Sequence, residues 1–242
     1  MELSNVVVLL ILGFAGISCM KPTLINECKK GIPNAERCVL AVAERMRPKI
    51  AKGEFPEGFT VPRLDPAFIE RLEVTGDSNF SAVFENVTVS GLKAFHVDKL
   101  TVHTSDHQIS LVTKLDSIHL KGKYTMKSNL KMLPPVDGAG DATLELTNVK
   151  VLVRLHYFLI GKKGAKTVRF LPTEFKVMFD GDANFALTNA LRGKPDQVTN
   201  EAINKMPHEI LNKTKPAVQR HLSETFTTIV NHLMEDAERE RK

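Results

Sequence analysis

The stretch over residues 198–234 constrains the fold most. Apolar residues recur there as Val198, Ile203, Met206, Ile210, Leu211, Val218, Leu222, Phe226, Ile229, Val230, Leu233 and Met234. The steps are mostly three, four and seven, the spacing of one helix face. Such a helix runs on the order of 50–60 Å at ~1.5 Å per residue, longer than a typical globular helix. Pro207 and Pro216 fall inside it and should bend or interrupt it.

Over residues 68–187 the apolar period drops to two. Val83, Val87 and Val89 alternate with polar residues, and Phe95, Val97, Leu100 and Val102 continue after a one-residue shift that suggests a bulge. Ile109, Leu111 and Leu115, then Ile118 and Leu120, read as a returning strand with a similar shift. Tyr124, Met126, Leu130 and Met132 alternate again. The longest alternation runs through Leu144, Leu146, Val149, Val151, Val153, Leu155 and Tyr157. Phe175, Val177 and Phe179 form the last clear strand, before a turn at Asp180-Gly181-Asp182. Short connections make neighbouring strands antiparallel. With one apolar face, such a sheet must cover something, and the C-terminal helix has the matching length. The expected fold is α+β: a long, strongly curved antiparallel sheet wrapped around one long C-terminal helix over residues 196–238, with a short N-terminal helix.

Residues 1–19 read as a secretory leader, with an apolar run over residues 6–17 and small residues Gly16 and Ser18 near its end. The run is too short for a membrane span, and no second one follows, so no transmembrane segment is expected. With Cys19 at the cleavage point, Cys28 and Cys38 remain as an even pair in an oxidising compartment. A bridge between them would contribute ~2–3 kcal/mol. Residues 34–52 read as a helix, capped by Asn34 and stopped by Gly53. Residues 20–242 then form one secreted domain. Asn79, Asn86 and Asn212 each open an Asn-x-Ser/Thr sequon and are acceptors if exposed.

The formal charge is only +5, and Trp is absent. No aromatic-rich basic motif accompanies the lysines, so no nucleic-acid partner is expected. There is no nucleophile elbow, phosphate loop or zinc-protease helix motif. His103 and His107 would stand ~13 Å apart on a continuous strand, too far to share an ion. Neither enzyme activity, metal nor cofactor is expected. Thirteen Phe and eight Met, with several Met at inward positions, instead suit an irregular apolar interior. Inward periodicity nominates Met126, Leu130, Leu144, Phe175, Val177, Phe179, Met206, Ile210 and Phe226 as lining residues of a ligand site.

A set of short motifs carries a resemblance. They are Cys28 and Cys38 after a leader; Pro48 and Gly53; Leu64-Asp65-Pro66; Asn86-Val-Thr-Val-Ser-Gly91-Leu92; Gly122-Lys-Tyr124; Pro135-Val-Asp-Gly138-Ala-Gly140; and Pro216 in a closing helix. In this order the chain resembles the takeout and juvenile-hormone-binding protein family of insects. The single cysteine pair favours a takeout-like member, and residues 192–197 replace the aromatic, Asn-rich segment that usually opens the long helix. The resemblance implies a secreted carrier of a terpenoid hormone, fatty acid or similar lipid in an internal tunnel, and a monomer is expected. It also implies links to feeding, circadian output or chemosensory tissue. The alternative is a surface-recognition module for a receptor, membrane or microbial lipid, with a solid interior. A hydrolase of hydrophobic esters would need a Ser or Asp near a buried His, an arrangement the sequence does not show.

Overall fold

The computed structural model describes Lys52 and residues 63–75, 79–103, 105–131, 135–161, 167–191 and 195–239. The expected leader, the cysteine pair, Met132 and the helix over residues 34–52 (apart from Lys52, which is helical) lie outside the described residues.

Eight strands form the sheet: β1 (Ala67–Thr75), β2 (Phe80–Ser90), β3 (His96–His103), β4 (Gln108–Ser128), β5 (Val136–Ile160), β6 (Thr167–Phe170), β7 (Glu174–Phe179) and β8 (Ala183–Leu187). All strand pairs are antiparallel. β4 and β5, of 21 and 25 residues, form the spine. β2 and β3 share the far side of β4, and β1 borders β2. β6, β7 and β8 lie end to end along the far side of β5. The long curved antiparallel sheet expected from the alternation is therefore present, and it is not closed into a barrel. Its last strand was not legible: β8 follows β7 directly, and β6 precedes it.

Bulges interrupt two of the strand pairings. β2 slips against β4 between Glu85 and Thr88, where Asn86 has φ 51°, a left-handed value that Asn tolerates. This reset corrects one assignment. Phe80 and Ala82 are inward and buried, Phe84 packs on the core, and Val83 lies on the opposite face. Val87 and Val89 are inward only after the bulge. β3 slips against β4 between Val97 and Lys99. In the β4–β5 ladder both strands change phase at one level. Leu115 and Ile118 are both buried, as are Val149 and Leu146, and Asn148 has φ 50°. The register either side of that level is unchanged, from Gln108↔His156 to Ser128↔Val136.

Two motif segments meet at the start of the sheet. Asp65 accepts hydrogen bonds from the backbone N–H of Gly91 (3.3 Å) and Lys93 (3.0 Å), capping a single 3-10 turn at Leu92–Ala94. Gly91 has φ 96°, and a Cβ there would stand 2.4 Å from the Ser117 carbonyl oxygen. At Gly138 a Cβ would stand 2.0 Å from the Asn189 carbonyl oxygen. The missing side chain lets the segment after β8 lie directly on β5.

The C-terminal helix is two helices: α1 (Asp196–Lys205) and α2 (Pro207–Arg239). Met206 between them has φ −142° and ψ 55°. Proline disfavours the helical conformation in the residue before it, which explains a break at Met206 rather than a bend. Pro207 then opens α2, where its missing N–H is harmless. Pro216 lies inside α2 without ending it. Val198, expected on the inner face, is 59% exposed, and Thr199 is buried in its place.

Helix side chains seal the outer border formed by β6, β7 and β8. Asn200 accepts from Leu187 N–H (2.9 Å) and donates to Leu187 C=O (3.0 Å). Asn204 does the same for Phe185 (2.7 and 2.8 Å), and Asn231 for Phe170 (2.9 and 3.1 Å). Gln219 accepts from Val177 N–H (3.0 Å), and Thr227 Oγ1 accepts from Thr173 N–H (2.8 Å). The two helices thus stand in for a further strand along an edge that would otherwise present unpaired backbone.

Candidate functional site

Helix α2 makes its close backbone approaches to β1 on one border of the sheet and to β6, β7 and β8 on the other. The sheet curls until both borders meet the helix, and the space enclosed lies between α2 and the middle strands. Apolar side chains occupy that space in two clusters. The first joins β1, β2, the second half of β4 and the first half of β5 to Ile203, Ile210, Leu211 and Ala217. The second joins β3, the start of β4, the end of β5 and β6 to Val230.

Between the clusters the apolar residues of α2 are less deeply buried. Ala217 and Val230 of α2 are buried, but Val218, Leu222, Phe226 and Ile229 are only half-buried. Opposite them Val151 packs against both clusters and is also half-buried. Phe175 and Phe226 meet edge to face, with ring centroids 5.5 Å apart, and join sheet and helix in this region. This half-buried apolar stretch of α2, flanked by the two clusters, is the seam between helix and sheet.

The nine nominated residues divide accordingly. Met126, Leu130, Val177 and Ile210 are fully buried in the first cluster, where they fill the core. Leu144, Phe179 and Met206 are half-buried at its margin. Phe175 and Phe226 flank the seam beside the second cluster. Leu130 follows the end of β4 rather than continuing the strand. Val151 and Leu222, packed on the clusters, and the half-buried Val218 one turn before Leu222 are not among the nine. Their signal was the step of four through Val218, Leu222 and Phe226. An open groove of about 620 Å³ runs along α1, lined by Gln197, Asn200, Glu201, Asn204 and Lys205. None of the nominated residues lines it.

Among the described residues the ion pairs lie at the periphery, and the buried polar side chains are the hydroxyls of Tyr124, Tyr157, Ser128, Thr173 and Thr199. Exposed cross-strand pairs such as Lys114–Asp98 (2.6 Å), His119–Glu145 (3.5 Å) and Arg154–Glu174 (3.7 Å) dress the outer face, each worth about 0–1 kcal/mol. His103 and His107 are exposed on either side of the β3–β4 turn. Among the described residues no three His, Cys, Asp or Glu are grouped to hold a metal ion. Asn79, Asn86 and Asn212 are all exposed. Among the described residues no helix is long and apolar enough to cross a membrane.

Tyr124 is 2% exposed and donates from its hydroxyl to the Thr188 carbonyl oxygen at 2.9 Å. Burial, and secondarily the Asp196 carboxylate, push it up to about 12. Burial raises Tyr157 as well. A phenol whose folded pKa is raised holds its proton after the unfolded chain has lost it. Stability should therefore be unaffected by Tyr124 below pH 10, and decline as pH rises from 10 towards 12. The loss should reach about 2–3 kcal/mol, and Tyr124→Phe should remove most of it. Denaturant titrations across that range, with tyrosinate absorbance followed in parallel, check this; a normal tyrosine titration in the folded protein would contradict it.

A curled antiparallel sheet laid along C-terminal helices over an apolar seam defines the structural class. The chain belongs to the haemolymph juvenile hormone binding protein (JHBP) family, whose model matches residues 7–240. Among solved structures it is similar to Epiphyas postvittana Takeout 1, with TM-score 0.72 and 18% identity, covering 83% of this chain and 92% of that one. A lipopolysaccharide binding protein also matches, with TM-score 0.35 and 15% identity, covering 84% of this chain and 40% of that one. No curated protein sequence matches the chain. The resemblance carried by the short motifs therefore holds for both family and fold.

Proposed function

We propose that the protein is a secreted, non-enzymatic carrier that holds a small hydrophobic ligand in the seam between α2 and the sheet. The carrying observation is the half-buried apolar run Val218, Leu222, Phe226 and Ile229, set between two well-packed clusters. Leu144, Phe175, Phe179 and Met206 extend the same lining. Burial of apolar ligand surface, at ~25 cal/mol per Å² before costs, supplies the affinity. Membership of a family named for binding juvenile hormone supports a lipid or terpenoid ligand. A leader over residues 1–19, a Cys28–Cys38 bridge and sugars on the exposed Asn79, Asn86 and Asn212 complete the reading of an exported monomer. The takeout resemblance supports a role in feeding, circadian or chemosensory physiology.

Protein purified from a eukaryotic secretion host should release a lipid on organic extraction, and native mass spectrometry should show a matching mass difference. A protein that yields no ligand, and takes up none from a panel of terpenoids, alkanes and acyl lipids, would leave the surface-recognition reading in its place.

A further inference from the structure

We propose that the outer face at the β5–β6 end of the sheet docks on anionic phospholipid bilayers, with Phe158, Ile160 and Leu171 entering the membrane interface. This face lies outside the seam, and the inference goes beyond the carrier reading: it stands whatever the interior holds. Val149, Val153, Leu155 and Tyr157 of β5 are buried, so the even-numbered residues of this half of the strand point outward. Lys150, Arg154 and His156 follow the polar-out rule. The last two outward positions break it: Phe158 is 42% and Ile160 47% exposed.

Leu171, 49% exposed, joins them. Its N–H donates to the His156 carbonyl oxygen at 2.9 Å, which carries the β5–β6 ladder one pair past Tyr157↔Phe170. Leu171 therefore shares the outer face and sits diagonal to Phe158, roughly 7–8 Å away. Three of the five large apolar side chains exposed among the described residues thus gather at one corner, while Phe68 and Val198 stand on other elements. Single exposed apolar side chains are ordinary, but a cluster of three marks a contact surface. Inside the same hairpin Leu159 packs on the second cluster, so docking here brings that end of the seam to the bilayer.

Charge selects the partner. The neighbouring acids are already matched: Glu174 faces Arg154 (3.7 Å) and His156 (3.8 Å), and Glu235 faces Arg169 (3.5 Å), which stands opposite Phe158. The connection over residues 161–166 adds Lys162, Lys163 and Lys166 and no acid. Ile160 pairs with Thr167, so both ends of that connection are pinned at this corner. Chain length alone keeps its lysines within about 10–12 Å of the strand ends. Apolar side chains beside a surplus of lysine fit an anionic bilayer, where the former enter the interface and the ammonium groups meet phosphate and carboxylate headgroups. A second copy of the chain fits less well, because pairing the two faces would oppose their lysines.

The test is flotation of the full chain, expressed from a secretion host, with vesicles of phosphatidylcholine alone or with about one third phosphatidylserine. The anionic vesicles should bind more than about tenfold more tightly, and the difference should shrink as salt is raised. Phe158→Ser combined with Ile160→Ser should weaken that binding about tenfold or more. Replacing Lys162, Lys163 and Lys166 together by Ser should leave only the level seen with phosphatidylcholine. Phe68→Ser, at the most exposed of the five apolar side chains, should change nothing. Equal binding to both vesicles, binding to neither, or anionic binding that survives either set of substitutions would overturn the docking face. So would a dimer in sedimentation that the Phe158 and Ile160 substitutions dissolve, since a second copy would then cover the patch. A second measurement needs no variant and decides the matter if one fails to fold. Hydrogen exchange of the wild-type chain should slow over residues 158–171 when anionic vesicles are added, and stay unchanged in β1 and β2. Protection elsewhere, or none, would overturn the proposal, and none of these outcomes bears on whether the seam holds a ligand.

Discussion

Asn204→Leu should destabilise the fold by about 2–5 kcal/mol, seen as a lower denaturation midpoint with an unchanged slope. Leu has the same branching and number of side-chain heavy atoms as Asn and is a better helix former, so propensity predicts no loss. The loss comes from Phe185, whose residue is 7% exposed and whose N–H and C=O are both served by the Asn204 amide. Removing that amide leaves a donor and an acceptor without partners, each at about 1–3 kcal/mol. Asn204→Asp separates the two halves. It keeps the acceptor for Phe185 N–H and loses the donor, so its cost should be intermediate. Adding Asn200→Leu frees Leu187 in the same way, one turn earlier. The double variant should lose its native fold at moderate temperature and expose a sheet border prone to pairing with another chain. A change below about 0.5 kcal/mol for Asn204→Leu would show that water replaces the amide freely, and the helices would then not be acting as a substitute strand.

Leu222→Trp should lower ligand affinity more than tenfold while leaving thermal stability of the ligand-free protein unchanged or raised. Leu222 is half-buried at the centre of the apolar run on α2. If the space beside it holds a guest, an indole occupies the guest's volume and gains the same apolar contacts. In a filled core the opposite holds: added bulk forces strain of about 1–3 kcal/mol. Paired measurement of melting temperature and probe binding thus distinguishes a seam from a solid interior. A destabilised variant with intact binding would sink the proposed location. Ile210, fully buried in the first cluster, is the comparison site, where Ile210→Trp should show the core behaviour.

Much of this was readable before the structure, because it depends on local periodicity. The alternation from Tyr124 to Tyr157 follows a 21-residue and a 25-residue strand. The phase shift after Val97 marks a bulge, whereas at Leu115–Ile118 and Leu146–Val149 both strands step together without a change of register. Errors arose where the decisive partner is distant. The alternation of Val83, Val87 and Val89 implies one shared face, and the Asn86 bulge that puts Val83 on the other leaves no mark in that pattern. Apolarity puts Val198 on the inner helix face, although the buried position is its neighbour Thr199, one residue on. The border stripe Asn200, Asn204, Gln219, Thr227 and Asn231 was missed entirely. Its spacing is helical, but an amide on a helix declares nothing about the strand it will serve, and β6 and β8 are too short to be heard. Of the nine nominated lining residues, periodicity could find the inward side. It could not tell Met126, sealed in a cluster, from Phe226, beside the seam, because that depends on how far a whole helix stands from a sheet.

The coincident phase change in β4 and β5 has a consequence for how such a chain can vary in length. Because Leu115–Ile118 and Leu146–Val149 step together, the ladder keeps its register on both sides of the step. Dropping a residue from one strand alone would turn every later inward side chain of that strand outward. Insertions and deletions in the spine must therefore arrive as matched pairs across the ladder, or be confined to the connections at its ends. Among relatives, the long hairpin should behave as a ruler of fixed gradation, while the turns around it lengthen and shorten freely.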